Sequence, residues 1–267
     1  MKGSKTAFLW NMDNLVDIEN HRHHQGFDAW QYVYTYYNAL KRLGCPVTFL
    51  QEEDAFDVNE YPFMVVPAYQ IASKALIKKL QQYAENGGNL ILSSRTAKKD
   101  PNGHIWKAHN QEPIWDLIGA SIPEFDHLPA QNPGKVQFSG KDYTWYRWGD
   151  WLEPQAGTES LATYGDQFYK GTSAITRRKT NKGSVTYIGV WSNDGEMEKD
   201  VLNKIFVEAG VQVLDLPSYV FTEWRDGYWI TVNYSSSEAI APLKNDSKIL
   251  FGNKTVQPGG VSVWINK

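Results

Sequence analysis

Residues 63–92 read FMVVPAYQIASKALIKKLQQYAENGGNLIL, and this stretch contains a strand, a helix and a second strand in that order. Phe63 to Pro67 (FMVVP) is a continuous apolar run, typical of parallel strands that are buried on both faces. Ser73 is predicted to cap a helix that Gly87-Gly88 ends, and Asn89 to Leu92 (NLIL) forms the next strand. The helical spacing predicts a buried face made of Leu76, Leu80 and Tyr83. This arrangement indicates a βαβ unit with a right-handed crossover.

The same alternation of strand and helix is found upstream. Thr6 to Trp10 and Pro46 to Leu50 are predicted strands, and a polar loop rich in Asp, Asn and His follows the first of them. Asp28 is predicted to cap a second helix, which Gly44 ends. Its i, i+3, i+4, i+7 spacing predicts a buried face made of Trp30, Val33, Tyr34, Tyr37 and Leu40. Strands and helices that alternate at this short spacing predict an α/β fold with a doubly wound sheet.

The pattern changes twice downstream. Between Asp100 and Gly183 it predicts loops, short helices and hairpins, before Val185 to Val190 returns as a core strand and Glu196 to Ala209 as a helix. From Pro217 onward the chain reads as short alternating strands separated by turns. We therefore predict two domains, residues 1–212 and a small C-terminal all-β domain, a β-sandwich, at 213–267.

Composition limits the class of protein. The 267 residues carry a net charge of −3, which gives no basic surface for nucleic acid, and no apolar run approaches the ~20 residues of a membrane span. Cys45 is the only cysteine, so we predict a buried structural thiol and a reducing, cytoplasmic location. Aromatic residues make up 14 % of the chain and include 11 Trp, which predicts large contact surfaces.

Two groups of residues are candidate sites. The first is the polar loop His21, Arg22, His23, His24 and Gln25. Its histidines could bind a metal together with Asp17 or Glu19, but they match no recognised ligand spacing, and we predict neither metal nor cofactor. The second group is the segment Trp145, Tyr146, Arg147, Trp148 and Trp151. Its rings suit either core packing, a subunit interface or stacking on a sugar, and the sequence leaves these readings open.

Catalytic patterns are weak throughout the chain. Neighbouring carboxylates such as Glu52-Glu53-Asp54 fall in polar loops, where a solvated surface is the expected role. The strand NLIL runs into Ser93-Ser94-Arg95-Thr96, which has neither the thiol of an amidotransferase nor the G-x-S-x-G spacing of a serine elbow. We therefore predict no catalytic residue in this chain.

Six segments, in order along the chain, carry a resemblance to a known family. They are HRHHQGFD at 21–28 leading into AWQYVYTYYNALKRLG at 29–44, VVPAYQIAS at 65–73, ENGGNLILSSRTAKKDPNGHIW at 85–106, WYRWGDWLEPQAGTE at 145–159, GSVTYIGVWSNDG at 183–195 and FTEWRDGYWITVNYSS at 221–236. They resemble the middle and C-terminal domains of glycoside hydrolase family 42 β-galactosidases. The resemblance implies a flavodoxin-like, class I glutamine-amidotransferase-like domain with a mostly parallel sheet flanked by helices, followed by a small β-domain.

The same resemblance implies a role in assembly. In that family these domains follow a catalytic barrel that carries both catalytic glutamates of a retaining β-galactosidase, and no part of this chain resembles the barrel. We therefore expect a non-catalytic trimerisation portion that associates with itself or with the parent barrel. The loop 21–25 is then a candidate contact near a neighbouring active site. The alternatives are a carbohydrate-binding module that uses the Trp-rich segment, and an amidotransferase-like hydrolase that uses Ser93 or Ser94.

Overall fold

The computed structural model of the protein describes residues 2–106 and 113–266. Within these ranges the chain forms five α-helices, after a 3-10 turn at Lys2–Ser4. The α-helices are α1 (Met12–Asn20), α2 (Ala29–Arg42), α3 (Lys74–Glu85), α4 (Pro113–Ile118) and α5 (Glu196–Glu208). No helix in this part of the chain is long and apolar enough to cross a membrane.

The strands belong to one large sheet, one four-stranded sheet and two short pairs. They are β1 (Thr6–Leu9), β2 (Val47–Leu50), β3 (Phe63–Val66), β4 (Asn89–Ser93), β5 (Ala120–Ser121), β6 (Phe125–Asp126), β7 (Gly134–Phe138), β8 (Lys141–Asp150), β9 (Glu153–Pro154), β10 (Thr158–Tyr164), β11 (Ser173–Lys179), β12 (Ser184–Ile188), β13 (Val190–Ser192), β14 (Val220–Arg225), β15 (Tyr228–Asn233), β16 (Ala239–Ile240), β17 (Ser247–Phe251), β18 (Thr255–Val256) and β19 (Val261–Asn266).

One half of the large sheet is parallel, with strand order β2-β1-β3-β4-β12. Successive residues of its strands enter opposite cores because side chains alternate across a sheet. Phe63 and Val65 pack with α2 and α5, whereas Met64 and Val66 pack with α3 and α4. This half is thus a three-layer α/β/α arrangement, as the alternation of strands and helices predicts.

The other half of the sheet is antiparallel and closes on itself. The order continues from β12 through β11, β10, β7 and β8 to β13, and β13 follows β12 in the chain after Gly189 alone. The N–H of Gly189 donates to the carbonyl of Ala174 at 2.9 Å, and the carbonyl of Gly189 accepts from the N–H of Asp150 at 2.7 Å. β12 and β13 thus form one continuous strand, whose neighbour changes at Gly189 from β4 to β8. The prediction of a mostly parallel sheet is therefore wrong for the sheet as a whole, because the hairpins of residues 134–179 extend it.

The C-terminal residues form a separate β-sheet region. Its strand order is β14-β15-β19-β17, all antiparallel. Arg42 at the end of α2 holds the segment that leads to this region, since its Nε donates to the carbonyl of Leu216 at 3.2 Å and its guanidinium pairs with Glu196. The neighbouring Lys41 pairs with Glu223 of β14.

Helix ends were predicted better than helix faces. Asp28 and Ser73 cap α2 and α3 as expected, and the predicted face of α3 is buried. The predicted face of α2 is wrong in part, because Tyr32 and Tyr36 pack on the sheet while Trp30 and Tyr34 are exposed. The polar loop after β1 is also partly wrong, because its residues 12–20 form α1. The side chain of Asn11 caps α1 by accepting from the N–H of Asn14 at 2.9 Å.

Candidate functional site

The candidate site lies where the parallel half of the large sheet meets the antiparallel half. Arg95 follows β4 there and has a left-handed backbone, with φ of 69°. Its buried guanidinium donates from Nε to Gln70 at 2.9 Å, and to the carbonyls of His21 and Arg22 at 2.6 and 3.2 Å. Arg95 thereby fixes the predicted contact loop 21–25 to the end of β4.

Two aromatic rings enclose the same guanidinium. Its central carbon lies 4.7 Å from the ring centroid of Phe27 and 4.9 Å from that of Trp148, both within cation–π range. Phe125 also stacks on Trp148, with ring centroids 4.5 Å apart. Burial lowers the pKa of Arg95 to about 10, although Asp150 and other acidic groups nearby favour the charged form. We call Arg95, Phe27, Gln70 and Trp148 the Arg95 junction.

The histidine loop and the Trp-rich segment, which are remote in sequence, meet at this junction. The His23 ring lies 5.8 Å from Trp148, and the His24 ring lies 6.1 Å from Tyr146 and 5.0 Å from His127. Burial lowers the pKa of both histidines, and the positive charge of Arg95 adds to the effect at His23. Both rings therefore favour the neutral state. Of the loop residues, Gln25 is exposed and Arg22 pairs with Glu19.

Both carboxylates that could have completed a metal site are occupied, and Glu19 binds the N–H of Ala29 and the side chain of Arg22. Asp17 accepts from Lys99 at 2.7 and 2.9 Å and also from Gln70. Burial opposes ionisation of Asp17, but these hydrogen bonds hold its pKa below the usual range. Among the residues that the structure describes, no group of three His, Cys, Asp or Glu side chains is placed to hold a metal ion.

The Trp-rich segment divides into core and surface residues. Trp145 and Trp148 are 0 % and 2 % exposed, so neither offers a ring face to a sugar, and stacking on these two indoles is excluded in this conformation. Arg147 lies over the rings of Tyr146 and Trp191, at 4.5 and 4.6 Å. Trp151 packs on Tyr169 at 4.6 Å. Of the three roles that the sequence leaves open for this segment, core packing therefore describes most of its residues.

The serines after β4 also have structural roles. Ser93 Oγ accepts from the N–H of Ala68 at 2.8 Å, and Ser94 Oγ shares a hydrogen bond with the hydroxyl of Tyr32 at 2.5 Å. Both serines are buried, and the left-handed position that a nucleophile elbow would use belongs to Arg95. Neither serine is presented to a substrate.

Two fully buried carboxyl groups have raised pKa values because burial disfavours their charged forms. Asp150 accepts from Trp148 Nε1 at 3.0 Å and from the Tyr187 hydroxyl at 2.7 Å. Glu198 accepts from the N–H and the hydroxyl of Ser192, and its pKa is about 7. Neither residue belongs to the lining of the cavity at the Arg95 junction, so they do not form the facing pair of a glycosidase.

The cavity beside the junction has a volume of about 200 Å³. Its lining combines apolar side chains with three cationic ones and one carboxylate. The lining residues are His23, Gln70, Arg95, Lys98, Lys99, Ile105, Ile122, Pro123, Glu124, Phe125 and Trp148. This opening lies at the carboxyl ends of the parallel strands, where open α/β sheets present their contact loops.

Residues 4–212 match the family model described as the β-galactosidase trimerisation domain. The chain belongs to this family. The match includes both halves of the large sheet and the whole Arg95 junction, whereas the four-stranded C-terminal sheet lies outside it.

Curated relatives and solved structures agree with the family. The chain is 29 % identical over 231 residues to the β-galactosidase BgaH of Haloferax lucentense, which covers 86 % of this chain and 34 % of that protein. It is 25 % identical to the crystallised β-galactosidase of Halorubrum lacusprofundi, with a TM-score of 0.88 over 99 % of this chain and 40 % of that one. The β-galactosidase of Bacillus circulans sp. alkalophilus has the same fold, with a TM-score of 0.84 at 18 % identity over 100 % of this chain and 42 % of that one. The chain thus spans about a third of the length of the curated relatives that it matches.

Sequence reasoning missed the residue that organises the site. The sequence shows Arg95 only as part of a segment that lacks the spacing of a serine elbow, although its place after a buried strand at the carboxyl edge of the sheet is a recognisable signal. Phe125 and His127 lie in a stretch without periodicity, and their contacts with the histidine loop depend on the fold of residues 120–150.

Proposed function

We propose that this chain is the assembly portion of a family 42 β-galactosidase, that it self-associates as a trimer, and that it performs no glycosidic chemistry alone. The match of residues 4–212 to the β-galactosidase trimerisation domain carries the proposal. The β-galactosidases that the chain resembles are two to three times longer, which supports a division of labour between this portion and a catalytic one.

The buried polar groups support the non-catalytic part of the proposal. A retaining glycosidase needs two carboxyl groups ~5 Å apart that face a sugar. Asp150 and Glu198 are instead enclosed by hydrogen-bond donors of the core. Their raised pKa values therefore belong to packing and stability.

The finer fold is part of the same proposal. The parallel order β2-β1-β3-β4-β12 supports a flavodoxin-like, amidotransferase-like core whose reactive position Arg95 now occupies. A domain boundary at 212–213 is supported by the end of the family match and by the separate C-terminal sheet. A cytoplasmic location remains a prediction from the single buried thiol, Cys45.

We also propose that the loop His21 to Gln25 contacts a neighbouring catalytic portion in the parent assembly. Arg95 holds the loop backbone, while the side chains of His21, His23 and Gln25 remain exposed. A backbone fixed in this way lowers the entropy cost of binding a partner. Replacing His23 and Gln25 by Ala in the whole parent enzyme should raise KM or lower kcat without dissociating the trimer.

Two measurements on the purified chain test the main proposal. Sedimentation equilibrium at tens of micromolar should give three times the mass of the chain, and a nitrophenyl galactoside should not be hydrolysed. A monomeric chain would contradict the assembly role. Turnover that survives purification to homogeneity, or labelling of Ser93 or Ser94 by a fluorophosphonate, would contradict the non-catalytic role.

A further inference from the structure

Helix α2 has a second aromatic face that its own domain does not cover. Tyr32 and Tyr36 fill the core, yet Trp30 and Tyr34 on the other face are 54 % and 41 % exposed. Exposed aromatic side chains that lie together in one patch, unlike single exposed apolar residues, are typical of a contact surface. The exposed face of α2 is therefore a candidate contact surface.

This face forms one wall of a groove of about 320 Å³ beside the edge strand β2. The groove is lined by Phe8, Trp10, Trp30, Val33, Tyr34, Tyr37, Phe49 and Gln51, and we call it the α2 groove. Its rings support one another, since Trp10 lies 6.0 Å from Trp30 and Tyr37 stacks on Phe49 at 5.8 Å. Seven of its eight lining residues are aromatic or aliphatic and none is charged, so the groove favours an apolar occupant.

The position of the groove in the sequence selects a second copy of the chain as that occupant. All its residues lie within 4–212, the part that matches the trimerisation domain. The exposed apolar side chains of the C-terminal sheet, such as Phe251 and Trp224, lie outside that part. A self-association surface is therefore expected at the groove rather than on the C-terminal sheet.

A protruding aromatic residue provides the counterpart. Phe168 is 87 % exposed, the highest value among the large apolar side chains of the described residues. It lies in the turn between β10 and β11 and is supported by Trp151 and Tyr169, whose rings are 5.2 and 5.0 Å away. This turn belongs to the antiparallel half of the large sheet, whereas the groove borders β2 at the end of the parallel half.

We propose that the α2 groove of one copy receives Phe168 of the next copy. The two surfaces are different, so the contact is head-to-tail, and a head-to-tail contact closes a ring of three when successive copies turn by a third of a circle. The proposal rests on the assembly role given above and names the surfaces that carry it.

Two single substitutions test the pairing in the full chain. Trp30→Glu places a charge in the α2 groove. Phe168→Glu places a charge at the protruding residue, which we call the knob. Because both side chains are exposed in the single chain, both variants should fold to the same secondary structure as the wild type, and their melting temperature should fall only by the amount that trimer formation adds to the wild type. Each should lose the trimer, with association at least about thirtyfold weaker, as for removal of a central aromatic contact.

Mixing the two variants distinguishes a head-to-tail contact from non-specific association through exposed apolar side chains. The Trp30→Glu chain keeps its knob and the Phe168→Glu chain keeps its groove, so an equimolar mixture should form a complex of one copy of each. Val207→Glu is the matched control, because Val207 is 58 % exposed on α5 and lies outside both surfaces. This control should remain trimeric.

The outcomes separate this inference from the assembly role. A wild-type chain that stays monomeric contradicts both. A trimeric wild type whose two Glu variants also remain trimeric contradicts the groove-and-knob contact alone, as do a mixture that remains monomeric and a Val207→Glu chain that dissociates.

Discussion

Both the backbone conformation and the burial of Arg95 are unfavourable for folding. Its backbone is left-handed, which costs about 1–2 kcal/mol for a side chain with a Cβ, and its charge is removed from water. Three hydrogen bonds and two aromatic faces offset these costs. A planar guanidinium can donate along its edge and stack on both faces at once, which a lysine cannot do.

Replacing Arg95 should therefore detach the histidine loop. Arg95→Ala leaves two carbonyl groups and the Gln70 amide without their donor, and we expect about 3 kcal/mol of lost stability in urea unfolding. Arg95→Lys should recover less than half of this loss. Arg225→Ala, at an exposed position, is the control and should change stability by less than about 0.5 kcal/mol. An Arg95→Ala protein as stable as the wild type would show that the junction is dispensable.

Glu198 should make stability depend on pH near neutrality. Its pKa rises from 4.5 to about 7 on folding because burial disfavours the carboxylate. The loss of stability caused by burying the Glu198 carboxyl is therefore absent below pH 4.5, grows between pH 4.5 and 7, and reaches its full size above pH 7. Glu198→Gln should match the wild type at pH 4.5 and exceed it by about 3 kcal/mol at pH 8.

Paired unfolding curves at the two pH values measure this effect. Glu208→Gln is the opposite control, because Lys204 and Arg177 hold the pKa of Glu208 below its usual value despite some desolvation. That variant should be less stable than the wild type at pH 8. A Glu198→Gln difference that does not vary with pH would contradict the neutral buried carboxyl.

At the scale of elements, the sequence predicts where the helices begin and end better than it predicts which of their faces are buried. Asp28, Ser73 and Gly87-Gly88 act on their own helix, so local chemistry reveals them. The buried face of α2 depends on contacts remote in sequence, since Tyr32 packs on Trp191 at 4.7 Å and its hydroxyl bonds Ser94, 62 residues further along the chain. Periodicity in an aromatic helix cannot carry that information.

The candidate site shows the same limit. The histidine loop and the Trp-rich segment were both identifiable from composition, but their contact depends on β8 lying beside β13. The register between these strands shifts from Val190–Gly149 to Ser192–Trp145, so the chain advances four residues in β8 but only two in β13 over the same length. An irregularity of this kind brings Trp148 inward and leaves no periodic signal.

Gly189 is the position at which an added side chain would disturb the closure of the antiparallel half. A Cβ there would lie 3.0 Å from the carbonyl oxygen of Ala174 and 3.2 Å from the Cβ of Asp150. Gly189→Val should therefore force β8 away from the shared strand and cost about 2 kcal/mol or more. Gly103→Ala, which has open space around it and a left-handed backbone, should cost about 1 kcal/mol. Equal melting temperatures for the two variants would contradict tight closure at Gly189.

At the scale of the whole molecule, the end of α2 joins the C-terminal sheet to the rest. Arg42 binds both the preceding segment, through Leu216, and α5, through Glu196. Lys41 reaches Glu223, and Lys199 pairs with Asp215 at 2.8 Å. These contacts fix the C-terminal sheet relative to α2 and α5.

Arg42→Met should loosen the C-terminal sheet selectively. Amide exchange in β14, β15 and β19 should accelerate roughly tenfold, as expected for a local loss of about 1.4 kcal/mol, while exchange in β3 and β4 stays unchanged. Lys244→Met, whose side chain is exposed, is the control and should leave both regions unchanged. Uniform acceleration across the molecule would mean that the two sheets unfold as one unit.

The strand shared by the two halves of the large sheet also imposes an order on synthesis. β4 ends at Ser93, and the strand that covers its outer edge, β12, begins at Ser184, about ninety residues later. At ribosomal rates of about 5–20 residues per second, the unpaired backbone edge of β4 waits about 5 to 20 seconds for its neighbour. During that interval the nascent chain offers an open edge to other nascent chains and to chaperones. Translation that stalls between these two strands releases a product that is prone to aggregate.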